Sequence, residues 1–220
     1  MRKTKFRNRF SKSQLQKDEI IFVGRSNVGK SSLIRLLTGV KIRIGKRPGT
    51  TVFLFRLEFD RLDIVDMPGF GFMEKKTKHI QEKIKDSIIW YIEKNKEKVL
   101  FAIEVLDAKL FLEIMQRWEE RGEIPIDIEF FNFLSELELD PIVAVNKIDK
   151  ISVNKRSFIL DQVCEKLGFS SPWKQWKDVV VPISAKTGEG FQYLWRNIFN
   201  RLKKRGKSNL IEYFRKTPYM

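Results

Sequence analysis

The chain has 220 residues, of which 42% are hydrophobic and 32% are charged. This composition can form one substantial core and excludes a disulfide-rich miniprotein, because the single cysteine, Cys164, has no intramolecular partner. No apolar run is long enough to span a membrane and no signal peptide follows Met1, so the sequence predicts a soluble, cytoplasmic protein.

The net charge of +15 is concentrated at the two ends of the chain. Residues 1–17 and residues 196–220 each carry +7, which leaves +1 for residues 18–195. Ends that both carry a net positive charge favour a polyanionic partner such as RNA, since Lys and Arg that neutralise phosphates release counterions. Tails that only keep the protein soluble are the alternative. We expect a basic tail before residue 18, a domain over 18–205 and a basic tail over 206–220.

A strand, a glycine-rich loop and a helix are predicted at the start of the domain. The apolar run within 18–23 predicts the strand, and helix-prone residues follow at 32–37. The loop between them has the pattern GxxxxGKS, whose backbone N–H groups form an anion site at a helix N-terminus. We expect it to bind a nucleoside triphosphate through Gly24, Arg25, Ser26, Asn27, Val28, Gly29, Lys30, Ser31 and Ser32.

The second predicted feature is a loop followed by a pair of strands. Residues 40–52 include glycine and proline and are expected to become ordered only around a γ-phosphate. Residues 52–59 and 62–66 predict two antiparallel strands. The sequence Asp66-Met67-Pro68-Gly69 follows, and we expect its carboxylate to order a metal-bound water and its last N–H to contact the γ-phosphate.

Magnesium is the metal that this set of oxygen ligands favours. Mg²⁺ prefers octahedral oxygen ligands and shares them with phosphates. We expect the shell to contain Ser31, Asp66 through water, and a threonine from the 40–52 loop, where Thr50 and Thr51 both qualify by position.

The rest of the domain alternates helical and strand patterns. Apolar residues at helical spacing predict a helix over about 77–95, and short apolar runs predict strands at 99–103, 142–145 and 179–181. A last helix over about 190–204 has an apolar stripe, with Arg196, Arg201 and Lys203 expected on its outward side. Together the elements predict an α/β fold with a doubly wound, mostly parallel sheet.

The base is expected to be read by two later segments. Asn146-Lys147-Ile148-Asp149 follows a predicted strand at the edge where open α/β sheets bind ligands. The carboxylate of Asp149 can accept two hydrogen bonds from guanine, which adenine cannot donate. Ser184-Ala185-Lys186 forms a turn of small residues whose N–H can meet the guanine carbonyl.

With these motifs in this order, the sequence resembles the translation-factor-related GTPases and, within them, the EngB family. The resemblance covers about residues 18–202 and depends on four segments: GRSNVGKSSLI at 24–34, RPGTT at 47–51, DMPGFGF at 66–72 and NKID at 146–149. It implies a P-loop GTPase fold, GTP or GDP as ligand, and a role in ribosome assembly and normal cell division.

The resemblance also assigns residues that the pattern left open. The family spacing favours Thr51 over Thr50 as the magnesium ligand, and it adds Gly49 to the GTP-binding set. In related GTPases an asparagine at the position of Asn27 helps to hold a potassium ion, which implies the same possibility here. The segment 107–140 is longer than in bacterial relatives and resembles an archaeal-type variant.

Slow hydrolysis is expected because Phe70 follows DxxG where many switch GTPases carry a glutamine that orients water. A phenyl ring cannot do this, so catalysis is left to positioning and charge neutralisation by Lys30, Thr51, Gly69 and Mg²⁺. His79 and Cys164 are predicted to be a surface helix residue and a core residue.

Three functional hypotheses remain open at this point. The first is a GTP-hydrolysing switch that controls binding to ribosomal RNA or a precursor particle. The second is an RNA-binding assembly protein in which nucleotide is mainly a structural ligand. The third directs the basic ends and the amphipathic helix over 190–204 to anionic lipid.

Overall fold

The computed structural model describes residues 17–40, 54–70 and 78–217. Within these residues, six strands form one sheet, and helices pack on its two faces. The strands are β1 (Asp18–Val23), β2 (Phe55–Glu58), β3 (Leu62–Asp66), β4 (Val99–Asp107), β5 (Ile142–Asn146) and β6 (Val180–Pro182). The helices are α1 (Lys30–Thr38), α2 (Lys78–Asn95), α3 (Phe111–Glu119), α4 (Ile126–Glu136), α5 (Val153–Lys166) and α6 (Phe191–Lys204).

The sheet has the strand order β2-β3-β1-β4-β5-β6 and is parallel except for one pair. β2 and β3 pair antiparallel, as their short connection predicts, and every other pairing is parallel. β1 and β4 lie at the centre and are almost fully buried. This confirms the predicted fold class and brings the carboxyl ends of β1, β3, β4, β5 and β6 to one edge, where ligands of such sheets bind.

Two strands differ in length from their predictions by more than one residue. β4 runs to Asp107, four residues past the predicted end, because Glu104 and Asp107 interrupt the apolar run without interrupting the pairing with β5. β2 covers Phe55–Glu58 within the predicted 52–59, of which residues 52 and 53 lie outside the described residues.

Two helices correct details of the predicted burial. On α2, Ile84, Ile88 and Ile92 are buried as their spacing predicts, but Ile80 is 40% exposed because it lies in the first turn. On α6, Arg201 was expected to face outward and is buried instead. Its guanidinium donates to the backbone carbonyls of Asp140, Pro141 and Asp178, which fixes α6 across the amino ends of β5 and β6.

The segment over 107–140 forms α3 and α4, which pack beside β4 and β5. Near the C-terminus, a short 3₁₀ helix at Ser208–Tyr213 places Leu210 and Phe214 in the core, and the Arg215 N–H donates to the Leu37 carbonyl at 2.6 Å. His79 is exposed on α2 and Cys164 is buried on α5, as predicted. In the described part of the chain, no helix combines the length and apolar character of a membrane span.

Candidate nucleotide-binding site

The glycine-rich loop connects β1 to α1 and holds a buried lysine. The Lys30 ammonium donates to the carbonyls of Gly24 and Arg25 at 3.0 and 3.1 Å, which places it inside the turn of the loop. Gly29 has a φ of 104°, and a Cβ there would lie 2.3 Å from Nδ2 of Asn146. The loop can therefore close around a phosphate only with glycine at this position.

The next residue of the loop faces the end of β3. Ser31 Oγ donates a hydrogen bond to Oδ2 of Asp66. Oδ1 of the same carboxylate is buried and has no hydrogen-bond partner among the described residues. Burial raises the pKa of Asp66, although the Lys30 charge and the Ser31 hydrogen bond oppose the rise, and burial lowers the pKa of Lys30. Ser31 Oγ and the unpaired Oδ1 of Asp66 are oxygen ligands of the kind that a hard cation such as Mg²⁺ prefers.

The DMPG segment lies directly against the glycine-rich loop. The Ser26 N–H donates to the Phe70 carbonyl at 3.1 Å, which extends the parallel pairing of β1 and β3 into both loops. A Cβ on Gly69 would lie 2.6 Å from Cα of Ser26, so the two backbones touch. Phe70 is 1% exposed, so its ring is enclosed by the protein.

The predicted base-reading residues meet at the ends of β5 and β6. Asn146 joins three segments: its Nδ2 donates to the Val28 carbonyl at 2.7 Å and its Oδ1 accepts from the Ala185 N–H at 2.9 Å. Asp149 Oδ1 accepts a hydrogen bond from Ser184 Oγ at 2.6 Å, which orients the carboxylate. The hydrogen bond to Val28 ties the loop of Asn146 to the glycine-rich loop.

Lys147 lies between the two ends of the site. It has a φ of 64°, and its ammonium donates to the Asn27 carbonyl at 2.6 Å and to Oδ2 of Asp107 at 2.5 Å. Asp107 also accepts from the N–H groups of Lys109 and Leu110 at the start of α3. The lysine therefore connects the phosphate loop, β4 and the base-reading loop.

The structure thus brings most of the sequence-predicted site residues together at the carboxyl ends of the parallel strands. Gly49, Thr50 and Thr51 lie outside the described residues, so the threonine ligand and its loop stay predictions. Lys186 lies in the turn after Ser184 and Ala185, and it is exposed.

Sequence reasoning missed three acidic residues beside the site. Asp107, at the end of β4, could have been found, because it follows a buried strand at the ligand-binding edge. Glu104 lies inside β4. Asp127 lies in the first turn of α4 and accepts a hydrogen bond from Nε of Arg25 at 2.6 Å. A separation of 102 residues between Arg25 and Asp127 left no local pattern to find.

A cavity of about 810 Å³ opens beside the glycine-rich loop, between α2, α3 and α4. Arg25, Phe70 and Asp127 contribute to its wall, as does Trp118, whose ring centroid lies 5.9 Å from the Arg25 guanidinium carbon. The side chain of Arg25 therefore points toward this cavity and α4, away from the phosphate turn that holds Lys30.

The fold, the GxxxxGKS loop, DMPG and NKID define a P-loop GTPase. A family model described as a 50S ribosome-binding GTPase matches residues 19–147. The similar proteins include two named Probable GTP-binding protein EngB. The protein from Methanopyrus kandleri is 52% identical over 90% of this chain and 98% of its own length. The protein from Pyrococcus abyssi is 48% identical over 84% of this chain and 86% of its own length. The chain belongs to the EngB family of GTP-binding proteins.

A solved structure agrees with this assignment. The crystal structure of a probable GTP-binding protein engB has a TM-score of 0.75 and 48% identity, and it covers 85% of this chain and 100% of that one. The structure of Era in complex with MgGDPNP and a 16S ribosomal RNA segment has a TM-score of 0.53 at 23% identity over 92% of this chain and 58% of that one, a likeness of fold alone.

Proposed function

We propose that this GTPase is a molecular switch that binds GTP with Mg²⁺, hydrolyses it slowly and acts in ribosome assembly, normal cell division or both. The observation that carries the proposal is the arrangement of Asp149. Ser184 fixes its carboxylate, and Asn146 fixes the surrounding loop to the phosphate loop. A carboxylate held in this way can discriminate guanine from adenine at a set distance from the triphosphate site.

The phosphate end supports the same proposal. Lys30 would contact the β- and γ-phosphates, and the Gly69 N–H would contact the γ-phosphate. Ser31 would hold Mg²⁺ directly and Asp66 through a water, with Thr51 as the proposed third protein group. The metal would supply neutralisation of the phosphate charge, while the residues of the chain position the nucleotide.

Slow hydrolysis is proposed because Phe70 offers no group that can orient water and its ring is buried. Asn27, which is exposed at the turn of the phosphate loop, is the proposed potassium contact. Replacing K⁺ by Na⁺ in a turnover assay tests this role, and an unchanged rate contradicts it.

Base selectivity is the decisive experiment. Fluorescent GDP and ADP analogues are titrated into the wild-type protein, and we expect a guanine preference of at least about 10³-fold. In Asp149→Asn an amide replaces one acceptor, so guanine binding falls and a xanthine nucleotide, which carries a carbonyl in place of the 2-amino group, binds better. The control is Asp178→Asn, an exposed aspartate just before β6. Equal affinity of the wild type for both purines contradicts the proposal.

The switch itself is tested with ribosomal particles. Wild-type protein is sedimented with purified subunits in the presence of GDP or of a non-hydrolysable GTP analogue. Tighter binding in one state supports a switch, because a ligand shifts an equilibrium only through its different affinity for the two states. Equal binding in both states favours the alternative, an RNA-binding assembly protein with nucleotide as a structural ligand.

A further inference from the structure

Helix α4 contacts both segments that form the γ-phosphate end of the site. Asp127 accepts the hydrogen bond from Nε of Arg25, and Phe130 stacks on Phe70 with ring centroids 4.4 Å apart and an interplanar angle of 8°. Asp127 and Phe130 are three residues apart, so they lie on the same face of the helix. One helix face therefore contacts the glycine-rich loop and the residue that follows DMPG.

Arg25 and Phe70, the two residues that α4 contacts, are also joined to each other and to Lys30. The backbones of Arg25 and Phe70 form a parallel bridge. The Arg25 carbonyl accepts a hydrogen bond from the Lys30 ammonium at 3.1 Å. Gly69 precedes Phe70 and touches Ser26 of the loop. A displacement of Arg25 or Phe70 from α4 would therefore move the groups that the proposed function assigns to the γ-phosphate.

Charge makes the contact to Arg25 costly to break. Asp127 is 2% exposed, and Glu104 on β4 is 0% exposed with both carboxylate oxygens lacking a hydrogen-bond partner in the described part of the chain. Burial raises the pKa of both groups, and the Arg25 charge opposes the rise in each. Removing this cation would leave two carboxyl groups buried together, which disfavours any state in which Arg25 leaves α4.

We propose that α4 pre-orders the γ-phosphate end of the site, with Asp127 and Phe130 as positioning residues that act through Arg25 and Phe70. Preorganisation favours a ligand by lowering the ordering cost of binding. GDP has no γ-phosphate, so loss of this ordering weakens GTP more than GDP. The inference rests on the proposed function, since it assumes that Gly69 faces the γ-phosphate.

The test is the ratio of two affinities. A fluorescent non-hydrolysable GTP analogue and fluorescent GDP are titrated into wild type, Asp127→Asn and Phe130→Leu in the presence of Mg²⁺. Each variant is expected to lower the affinity for the GTP analogue at least about fivefold relative to that for GDP, the lower end of typical coupling between sites. A purely structural role would lower both affinities together or change only the melting temperature.

Matched controls come from the same helix. Phe131→Leu makes the same change at a buried residue that packs against Phe169 in a different cluster, and Asn132→Asp changes charge on the exposed face. Both are expected to keep the wild-type ratio. In the double variant Arg25→Gln with Asp127→Asn, the ratio should fall no further than in the worse single variant, because Asp127 acts through Arg25.

The outcomes separate the two proposals. If the wild type binds guanine and adenine nucleotides equally, the proposed function and this inference both fail. If the wild type prefers guanine but Asp127→Asn and Phe130→Leu keep the wild-type ratio of GTP-analogue to GDP affinity, this inference alone is wrong. It is equally wrong if Phe131→Leu changes the ratio as much as Phe130→Leu does.

Discussion

The proposed guanine end of the site, around Asn146 and Asp149, and the proposed phosphate end, around Lys30 and Asp66, are built differently. At the guanine end, both amide atoms of Asn146 have backbone partners and Asp149 is held by Ser184. At the phosphate end, Asp66 Oδ1 is buried without a hydrogen-bond partner among the described residues, and burial lowers the pKa of Lys30. The polar groups of the guanine end thus have hydrogen-bond partners within the protein, while the phosphate end contains charged groups that burial disfavours.

This difference indicates a division of energetic roles. Residues at the guanine end should contribute to folding stability as well as to binding, because their hydrogen bonds are already made in the free protein. Residues at the phosphate end should contribute mainly to binding, because burying their charges costs free energy until an anion or a cation compensates them. Mutations that separate stability from affinity test this comparison.

The largest effect is expected for Lys30→Ala. The affinity for GDP and for a GTP analogue should fall about 10²–10³-fold, since two charge-assisted hydrogen bonds to phosphate contribute about 3–4 kcal/mol. The free energy of unfolding without nucleotide should change by less than about 1 kcal/mol, because relief of ammonium burial offsets two lost hydrogen bonds. Fluorescence titration and urea unfolding measure the two quantities.

Arg35→Ala is the control for this variant, because Arg35 is an exposed cation on the same helix. It should leave the affinity unchanged. A Lys30→Ala protein that loses several kcal/mol of stability would remove the distinction between the two ends.

The second prediction concerns the residue that joins the ends. Asn146→Ala removes two buried hydrogen bonds and leaves the Val28 carbonyl and the Ala185 N–H without these partners, so we expect a loss of about 2–4 kcal/mol in unfolding free energy. Nucleotide affinity should fall as well. Urea unfolding and titration of the same preparations measure both effects.

Asn197→Ala provides the control, since Asn197 is also buried and donates to two backbone carbonyls, those of Lys177 and Tyr193. It should lower stability and leave nucleotide affinity unchanged. If both variants lower affinity equally, the effect of Asn146 comes from general destabilisation.

The sequence predicted the guanine end better than the phosphate end. Asn146 and Asp149 follow one strand and Ser184 follows the next, so parallel topology alone places them at the same edge. That Phe70 is a poor substitute for glutamine stays a prediction. Its burial was not predicted, because the ring stacks on Phe130, which lies on a helix 60 residues away in the chain.

The buried arginines show the same limit. A cation on a helical pattern predicts an exposed face, yet Arg201 is buried by carbonyls from residues 140, 141 and 178. Most of its partners are backbone carbonyls, which carry no sequence signal, and the carboxylate that pairs with it, that of Asp140, lies 61 residues away in the chain. Arg25 likewise belongs to a phosphate-binding motif, while its side-chain partner lies in the 107–140 segment. Local patterns therefore predict the elements and the motif residues, but not the polar contacts between distant segments.

A smaller effect is expected for Ser184→Ala. The variant loses the hydrogen bond that orients Asp149 and a second one from the Thr187 N–H, and guanine affinity should fall about five- to tenfold, equivalent to about 1 kcal/mol. The control is Ser135→Ala, which removes a serine hydroxyl bonded to the Phe131 carbonyl on α4. An unchanged guanine affinity in Ser184→Ala would mean that Asp149 needs no partner to hold its orientation.

The smallest predicted effect is a change in pH dependence for Glu104→Gln. Burial and the nearby Asp127 raise the pKa of Glu104 well above its ordinary value, and Arg25 opposes this rise. Above the unfolded pKa of about 4.3, the folded protein therefore binds more protons than the unfolded chain. The contribution of Glu104 to the free energy of unfolding is most favourable below that pH and decreases as pH rises toward the folded pKa. The glutamine variant cannot titrate at this position.

The difference in melting temperature between pH 5 and pH 8 should accordingly be smaller in Glu104→Gln than in wild type, by about 2–4 °C for each kcal/mol removed. Asp127 titrates in the same direction and remains, so part of the wild-type difference persists. The exposed Glu97→Gln variant should keep the full difference. An identical pH dependence in Glu104→Gln and wild type would show that the buried carboxyl beside the phosphate end adds no cost to folding, which contradicts the contrast between the two ends.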